Sequence, residues 1–406
     1  MLLLGFASGL PYQLINDPLK LMLAHFKVDP EIIAISALAL IPYSLKVFWS
    51  PLVDMTRIGK RTFPRRRTWL QLTQGGLLVA IYLMGHWQQT MGLPTLFTVV
   101  LAIAVLSATQ DMAGDAWRTD SLSSNESARG LAASLWVGSY RIAFLAAGGL
   151  LPWMADALQS WPLAFSYSAL LLLPGVLGSF LAPEPALPEE APRTFAQGFL
   201  VPFRDLIQRL GSRVLFVFAF VLLFKMGDSV LNALAVIFLK NSGYTDIVIG
   251  SVRSVAGLIA TLAGVAIGGL VFLRLKTLPS LWIFGILQAV SNLAYVWLAG
   301  IPHPGFSPLV VIVVIENFCG GLATAAFTAF LMGVCNPAAS AVQYALLTAV
   351  MSIGQVGIAA SLSGYLISLP AMTWNLYFWI STLLGLPGLL LLPFLGKAVR
   401  NDRNPA

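Results

Sequence analysis

Residues 213–240 read RVLFVFAFVLLFKMGDSVLNALAVIFLK. A membrane-crossing helix needs about 20 mostly apolar residues, and this run supplies them. Near its middle, however, stand Lys225 and Asp228. At about twelve residues and 1.5 Å per residue, Lys225 lies about 18 Å from the start of the run, too deep for easy snorkelling. A charge at that depth costs at least about 2.5 kcal/mol, and such residues face a bundle interior or a wet cavity rather than lipid. The spacing i to i+3 sets both charges on one helix face. The stretch therefore argues for a membrane span and for a polar pathway beside it.

The rest of the chain agrees. Of 406 residues, 58% are hydrophobic and 10% are charged, against about 25% charged in soluble domains. A soluble core of this length needs far more polar cover. The fold class expected is an all-α polytopic membrane protein. Twelve apolar runs are long enough to span: 2–24, 31–52, 69–87, 93–117, 127–153, 162–183, 213–240, 246–273, 279–300, 307–333, 340–366 and 373–396. They are numbered spans 1 to 12. The one long gap, 184–212, is rich in proline and charge. It divides an N-terminal six-helix bundle (1–183) from a C-terminal one (213–406), as a cytoplasmic linker. Within it, FRDLIQRL predicts a short interfacial helix. The N-terminus has no basic region or small-residue cleavage site and does not read as a signal peptide.

Lys and Arg set the orientation. With the N-terminus in the cytoplasm, the inside segments hold 17 basic residues and the outside segments hold 2, Lys27 and Lys240. Both termini are expected to be cytoplasmic. The +7 net charge is thereby explained by topology and lipid headgroups, and gives no sign of nucleic-acid binding. The remaining bases, Lys20, Lys46, Arg141, Lys225 and Arg253, lie within spans. So do the acids Asp17, Asp111, Asp115, Asp228 and Glu316. Five against five is the balance expected of charges that pair or line a cavity.

Twelve spans in two halves around a polar linker resemble the layout of a major facilitator transporter, whose two bundles rock around a midplane site. In that fold spans 1, 4, 7 and 10 line the cavity, and here they carry seven of the ten intramembrane charges.

Each polar constellation has two readings. Lys225 and Asp228 form either a substrate and proton site or a static ion pair. Asp17 and Lys20, flanking Pro18 in LINDPLKLML, repeat the arrangement nearer the outer surface. Glu316, with Asn317, interrupts an apolar run in span 10. These carboxylates, with Asp111, are the candidate proton-coupling groups. Arg141 lies deep in span 5 and stays protonated, so it needs a counter-charge, either Asp111 or a substrate carboxylate. Lys225, Lys20, Arg141, Asn317 and Gln110 are the candidate substrate-binding residues. At the inner end of span 4, QDMAGDAWRTD (110–120) suggests a gate stitched by Asp115, Arg118 and Asp120. The loop SPLVDMTRIGKRTFPRRRTW (50–69) loosely resembles the Gly-x-x-x-Asp loop signature of major facilitators, with Ser50 in place of the first glycine. On that ground Asp54 and the basic run, Arg57 among it, are assigned to gating, as a bridge between the bundles in one state. Lys46 and Arg253 read as snorkelling, structural residues, and the glycine run 257–269 as a packing seam.

Enzyme chemistry finds no support. No phosphate-binding Gly-x-x-x-x-Gly-Lys-Ser/Thr loop is present, nor any Ser/His/Asp or metal motif, and no cofactor or metal is expected. Uphill transport then requires an ion gradient, for which protons suit carboxylates.

A closer resemblance runs through nearly the whole chain in GFASGLP (5–11), FWSPLVD (48–54), RRRTWLQLTQ (65–74), SATQDMAGDAWRTD (107–120) and GSYRIAFLAAGG (138–149). It continues in FKMGDSV (224–230), ENFCGGLATAAFTAFLMGVCN (316–336) and QYALLTAV (343–350). These segments resemble the AmpG-type muropeptide permeases. The resemblance implies proton-coupled import of anhydro-muropeptides, anionic glycopeptides from cell-wall turnover, across a bacterial inner membrane. The partners implied are that small-molecule substrate, protons and membrane lipids. Span 1 departs from the family's small, hydroxyl-rich segment. Siderophore or other organic-anion transport within the same superfamily, export, a passive channel, and a transporter-like receptor remain alternative readings.

Overall fold

The computed structural model describes residues 1–28, 32, 36–55, 65–122, 126–185 and 195–400. Among these residues every regular element is helical. Hydrocarbon dictates this outcome, because a helix satisfies its backbone hydrogen bonds within one segment. Eight helical segments are long and apolar enough to cross a membrane: Leu93–Ser121, Ala128–Ala157, Trp161–Leu181, Arg213–Asn241, Val248–Leu275, Thr277–Ala299, Phe306–Val334 and Trp374–Gly396. They are spans 4 to 10 and span 12. Span 3 is the helix Arg65–Met84. Spans 1 and 2 are broken into shorter helical pieces, span 11 runs helical from Ser340 to Ile367 through one π turn, and each of the twelve expected runs holds helix among the described residues.

The breaks have local causes. Span 1 stops at Leu14 and restarts at Asp17. Proline cannot donate to the ladder and its ring crowds the carbonyl four residues back; for Pro18 that residue is Leu14. Span 7 is interrupted at Phe224 and Lys225, between Arg213–Leu223 and Met226–Asn241. Spans 5, 8 and 11 each contain one π-helical turn, at Ala146–Leu150, Arg253–Gly257 and Ile353–Ile358. Such turns recur at functional sites.

The chain forms two compact units. Unit 1 comprises Met1–Ser123, Leu135–Phe203 and Cys335–Ala345; unit 2 comprises Ser124–Ser134, Arg204–Val334 and Leu346–Ala406. The interior of unit 1 packs Leu10, Leu14, Met22, Ile81, Ile103, Phe165 and Leu172. That of unit 2 packs Val230, Phe238, Tyr295, Ile312, Tyr377 and Phe378. Large apolar side chains also point outward, among them Val79, Phe180, Leu215 and Ile259. On a soluble protein so much exposed apolar surface is a liability; on this one it is the lipid-facing wall. In unit 2, spans 8 and 10 touch along the glycine run. A Cβ at Gly264 would stand 2.1 Å from the Phe318 carbonyl oxygen, and one at Gly321 2.5 Å from that of Thr261.

The linker helix, Phe195–Leu210, is longer than the eight residues expected. Leu206 and Leu210 are buried, while Leu200, Phe203 and Ile207 are exposed.

Candidate functional site

Unit 2 holds the opening pair. The break in span 7 makes Lys225 the residue preceding the second helical piece and puts Asp228 in its first turn, where the helix dipole favours a carboxylate. Lys225 is buried. Its ammonium donates to Thr324 Oγ1 at 2.9 Å and to the Gly320 carbonyl at 3.3 Å, both on span 10, and lies 3.8 Å from Asp228 Oδ2. Glycine at 320 and 321 leaves that carbonyl accessible.

Asp228 and Glu316 are joined through one amide. Asn232 Nδ2 donates to Glu316 Oε1 at 3.0 Å and to Asp228 Oδ1 at 3.3 Å. Gln288 Nε2 of span 9 donates to Asp228 Oδ1 at 3.0 Å. Asn317 Nδ2 donates to Glu316 Oε2 at 2.7 Å, and Thr261 Oγ1 of span 8 donates to Asn317 Oδ1 at 3.1 Å. Arg253 Nη2 donates to Asn232 Oδ1 at 3.1 Å. Arg253, read from the sequence as a snorkelling residue, thus turns into the polar network. Two acids, two bases and three side-chain amides from four spans meet at one site. A buried polar network of this kind holds its geometry only when its members are hydrogen-bonded.

Unit 1 has its own cluster. Asp111 does not pair with Arg141. It pairs with Lys46, which is 5% exposed, and accepts from Ser8 Oγ at 2.8 Å. Lys46 therefore does not snorkel; an acid beside it on span 4 makes burial tolerable. Tyr43 bonds Ser107 at 2.6 Å and Trp49 bonds Thr109 at 3.1 Å, which fixes span 2 along span 4. Arg141 is exposed, and among the described residues it has neither an ion pair nor a hydrogen bond; its guanidinium lies 6.0 Å from the Phe144 ring centroid. Gln110 is buried, and its amide has no hydrogen-bond partner among the described residues. Asp17 and Lys20 stay apart from both clusters. Their side chains are 61% and 37% exposed, and they bond locally to Gln13 and Asn16 at 2.9 and 2.7 Å.

The residues assigned to gating form a third group within unit 1. Asp54 is fully buried. It accepts from Arg66 Nη2 at 2.7 Å and, at the start of span 11, from the backbone N–H groups of Ala341 (3.4 Å) and Val342 (3.0 Å). That is a carboxylate on a helix N-terminus. Arg66 also reaches Asp120 at 2.9 Å and Ser340 Oγ at 2.9 Å. Arg118 bonds Asp115 at 2.7 Å and the Tyr344 hydroxyl at 2.8 Å, with its guanidinium 5.0 Å from the Trp136 ring. Arg57 lies outside the described residues. Sequence reasoning took in Arg66 only as part of the basic run of the 50–69 loop, without naming it as the partner of Asp54, and passed over Ser340 and Tyr344. It also passed over Asn232, Gln288 and Thr324.

Charged networks balanced inside the membrane, on interrupted helices in each of two helical units, define a membrane transporter. The comparisons agree. The family model described as Major Facilitator Superfamily matches residues 1–355. The Anhydromuropeptide permease of Escherichia coli (strain K12) is 37% identical over 393 residues, covering 97% of this chain and 78% of that one. Putative transporter AmpG 4 of Rickettsia felis is 31% identical, covering 98% of this chain and 96% of its own. In fold, the chain matches FucP in the outward conformation at a TM-score of 0.71 and 13% identity, with 97% of each chain covered. It matches the proton:xylose symporter XylE at 0.68 and 14%, covering 98% and 93%. The chain belongs to the Major Facilitator Superfamily and, within it, to the AmpG-type muropeptide permeases. It is a multi-pass membrane transporter of small molecules, not an enzyme.

Proposed function

We propose that the protein imports anhydro-muropeptides together with protons across a bacterial inner membrane, with both termini in the cytoplasm. The observation that carries this reading is the site in which Asp228 and Glu316 share the Asn232 amide beside Lys225 and Arg253. With both acids ionised the four charges cancel. A proton on either acid leaves one surplus positive charge, which is costly inside a membrane and which an anionic substrate offsets. Proton and anion are then favoured to move together. Arg141, exposed and with no acid paired to it among the described residues, offers a second contact for a substrate carboxylate. Lys225 and Lys20 suit other carboxylates, and Asn317 and Gln110 suit amides and hydroxyls. Asp111 and Asp17 are secondary proton carriers. Asp54, Arg57, Asp115, Arg118 and Asp120 act in gating. The substrate class follows the name of the E. coli relative.

The test uses purified protein in liposomes with an inward proton gradient. Labelled GlcNAc-anhydroMurNAc-tripeptide is followed in one arm and a ferric siderophore in the other. Gradient-dependent muropeptide uptake that an uncoupler abolishes is expected. Siderophore uptake without muropeptide uptake would overturn the substrate assignment. Muropeptide flux indifferent to the uncoupler would overturn proton coupling.

A further inference from the structure

The two halves carry corresponding charges with different wiring. In unit 1, Lys46 of span 2 closes directly on Asp111 of span 4. In unit 2 the corresponding spans, 8 and 10, carry Arg253 and Glu316, separated from Lys46 and Asp111 by about the same offset in sequence. No direct ion pair joins this second couple. Asn232 of span 7 stands between them. Its Oδ1 accepts from Arg253 Nη2 at 3.1 Å, and its Nδ2 donates to Glu316 Oε1 at 3.0 Å. The amide is fixed in one orientation. Turned over, it would aim its carbonyl at a carboxylate and its two donors at a guanidinium that has no acceptor. Its further bonds to the Asp228 side chain (3.3 Å) and backbone carbonyl (3.1 Å) hold that orientation. Arg253 opens the π turn of span 8.

We propose that Asn232 is a positioning residue: it interrupts what would otherwise be an Arg253–Glu316 salt bridge, and so leaves the Glu316 carboxylate free to take and release a proton. The proposal rests on the reading of Glu316 as a proton carrier. The groups facing Glu316 are Lys225 and Asp228 from span 7, Arg253 from span 8, Tyr295 from span 9 and Cys319 from its own helix. Asn232 is the group through which Arg253 reaches Glu316. A cation in direct contact would favour the charged carboxylate. Placed one side chain away, it holds the site's charge balance with a weaker pull, since the attraction falls with distance.

The test is a pH titration of the purified protein, followed by infrared difference spectroscopy of the protonated-carboxyl C=O stretch. The Glu316 band is identified by its loss in Glu316→Gln. In Asn232→Ala, Arg253 closes on Glu316, and the half-point of the band moves down by about one pH unit or more. In Asn232→Ala/Arg253→Gln it returns toward the wild-type position. In the isosteric Asn232→Asp, Arg253 pairs with the new carboxylate, which repels a charged Glu316, and the half-point moves up. A merely structural role moves none of these in opposite directions. An unmoved half-point in both single variants, a double variant that does not return, or the absence of any Glu316-dependent band would overturn the proposal. Uptake assays run in parallel separate the two readings. If the band behaves as expected but wild-type protein accumulates no muropeptide, the positioning role stands and the transport assignment fails. Proton-driven uptake with an unmoved band sinks the positioning role alone.

Discussion

Inside a membrane, the hydrogen-bond donors around a carboxylate govern how readily it gives up its charge. Glu316 receives two amide donors, from Asn232 and Asn317, and is 5% exposed. Glu316→Gln keeps the size and an acceptor but cannot exchange a proton. One pH unit of gradient is equivalent to about 1.4 kcal/mol, or about tenfold accumulation per proton. The variant is expected to lose that accumulation while still exchanging labelled for unlabelled substrate, a difference that counterflow against gradient-driven uptake measures directly. Glu316, Asp228 and Lys225 could be picked out from sequence because a charge in an apolar run is conspicuous. Asn232, Gln288 and Thr324 could not, since amides and hydroxyls are ordinary in spans. Lys46 was misread for a different reason. Its partner lies 65 residues away, and pairing across that distance leaves no local trace.

At the scale of single elements, apolar length identified the spans, and Pro18 accounts for the break in span 1. The break at Lys225 has no proline and was not foreseen. Nor were the three π turns, because their sequences read as ordinary apolar helix. The glycine run of span 8 was legible as a seam, and its geometry allows a sharp test. Gly264→Leu puts a side chain against the Phe318 carbonyl and is expected to destabilise unit 2 by about 3 kcal/mol through overpacking. Gly75→Ala, in the helix of span 3, meets nothing within 4 Å and is expected to stabilise by about 0.5–1 kcal/mol, the ordinary helix preference for alanine. Thermal unfolding of the detergent-solubilised protein should separate the two in sign.

For the whole molecule, an expected boundary at 184–212 could be read from composition. The exchange of short segments could not. Residues 335–345 belong to unit 1 and 124–134 to unit 2, and only long-range packing such as Asp54 on the span 11 N-terminus makes this so. Orientation rests on 17 basic residues against 2 and is checked by fusions. Alkaline phosphatase joined after residue 400 is expected to be inactive, and the same enzyme inserted at Gly243, between spans 7 and 8, active. The reverse pattern would invert the topology. The wiring of the two clusters also imposes a timetable on synthesis. The chain grows at roughly 5–20 residues per second. Lys225 and Asp228 therefore emerge together, and Glu316 follows both of the bases in its cluster. Lys46 must wait about 3–13 s for Asp111. During that interval span 2 carries an unneutralised lysine, and the insertion machinery or the headgroup region has to shelter it until span 4 arrives.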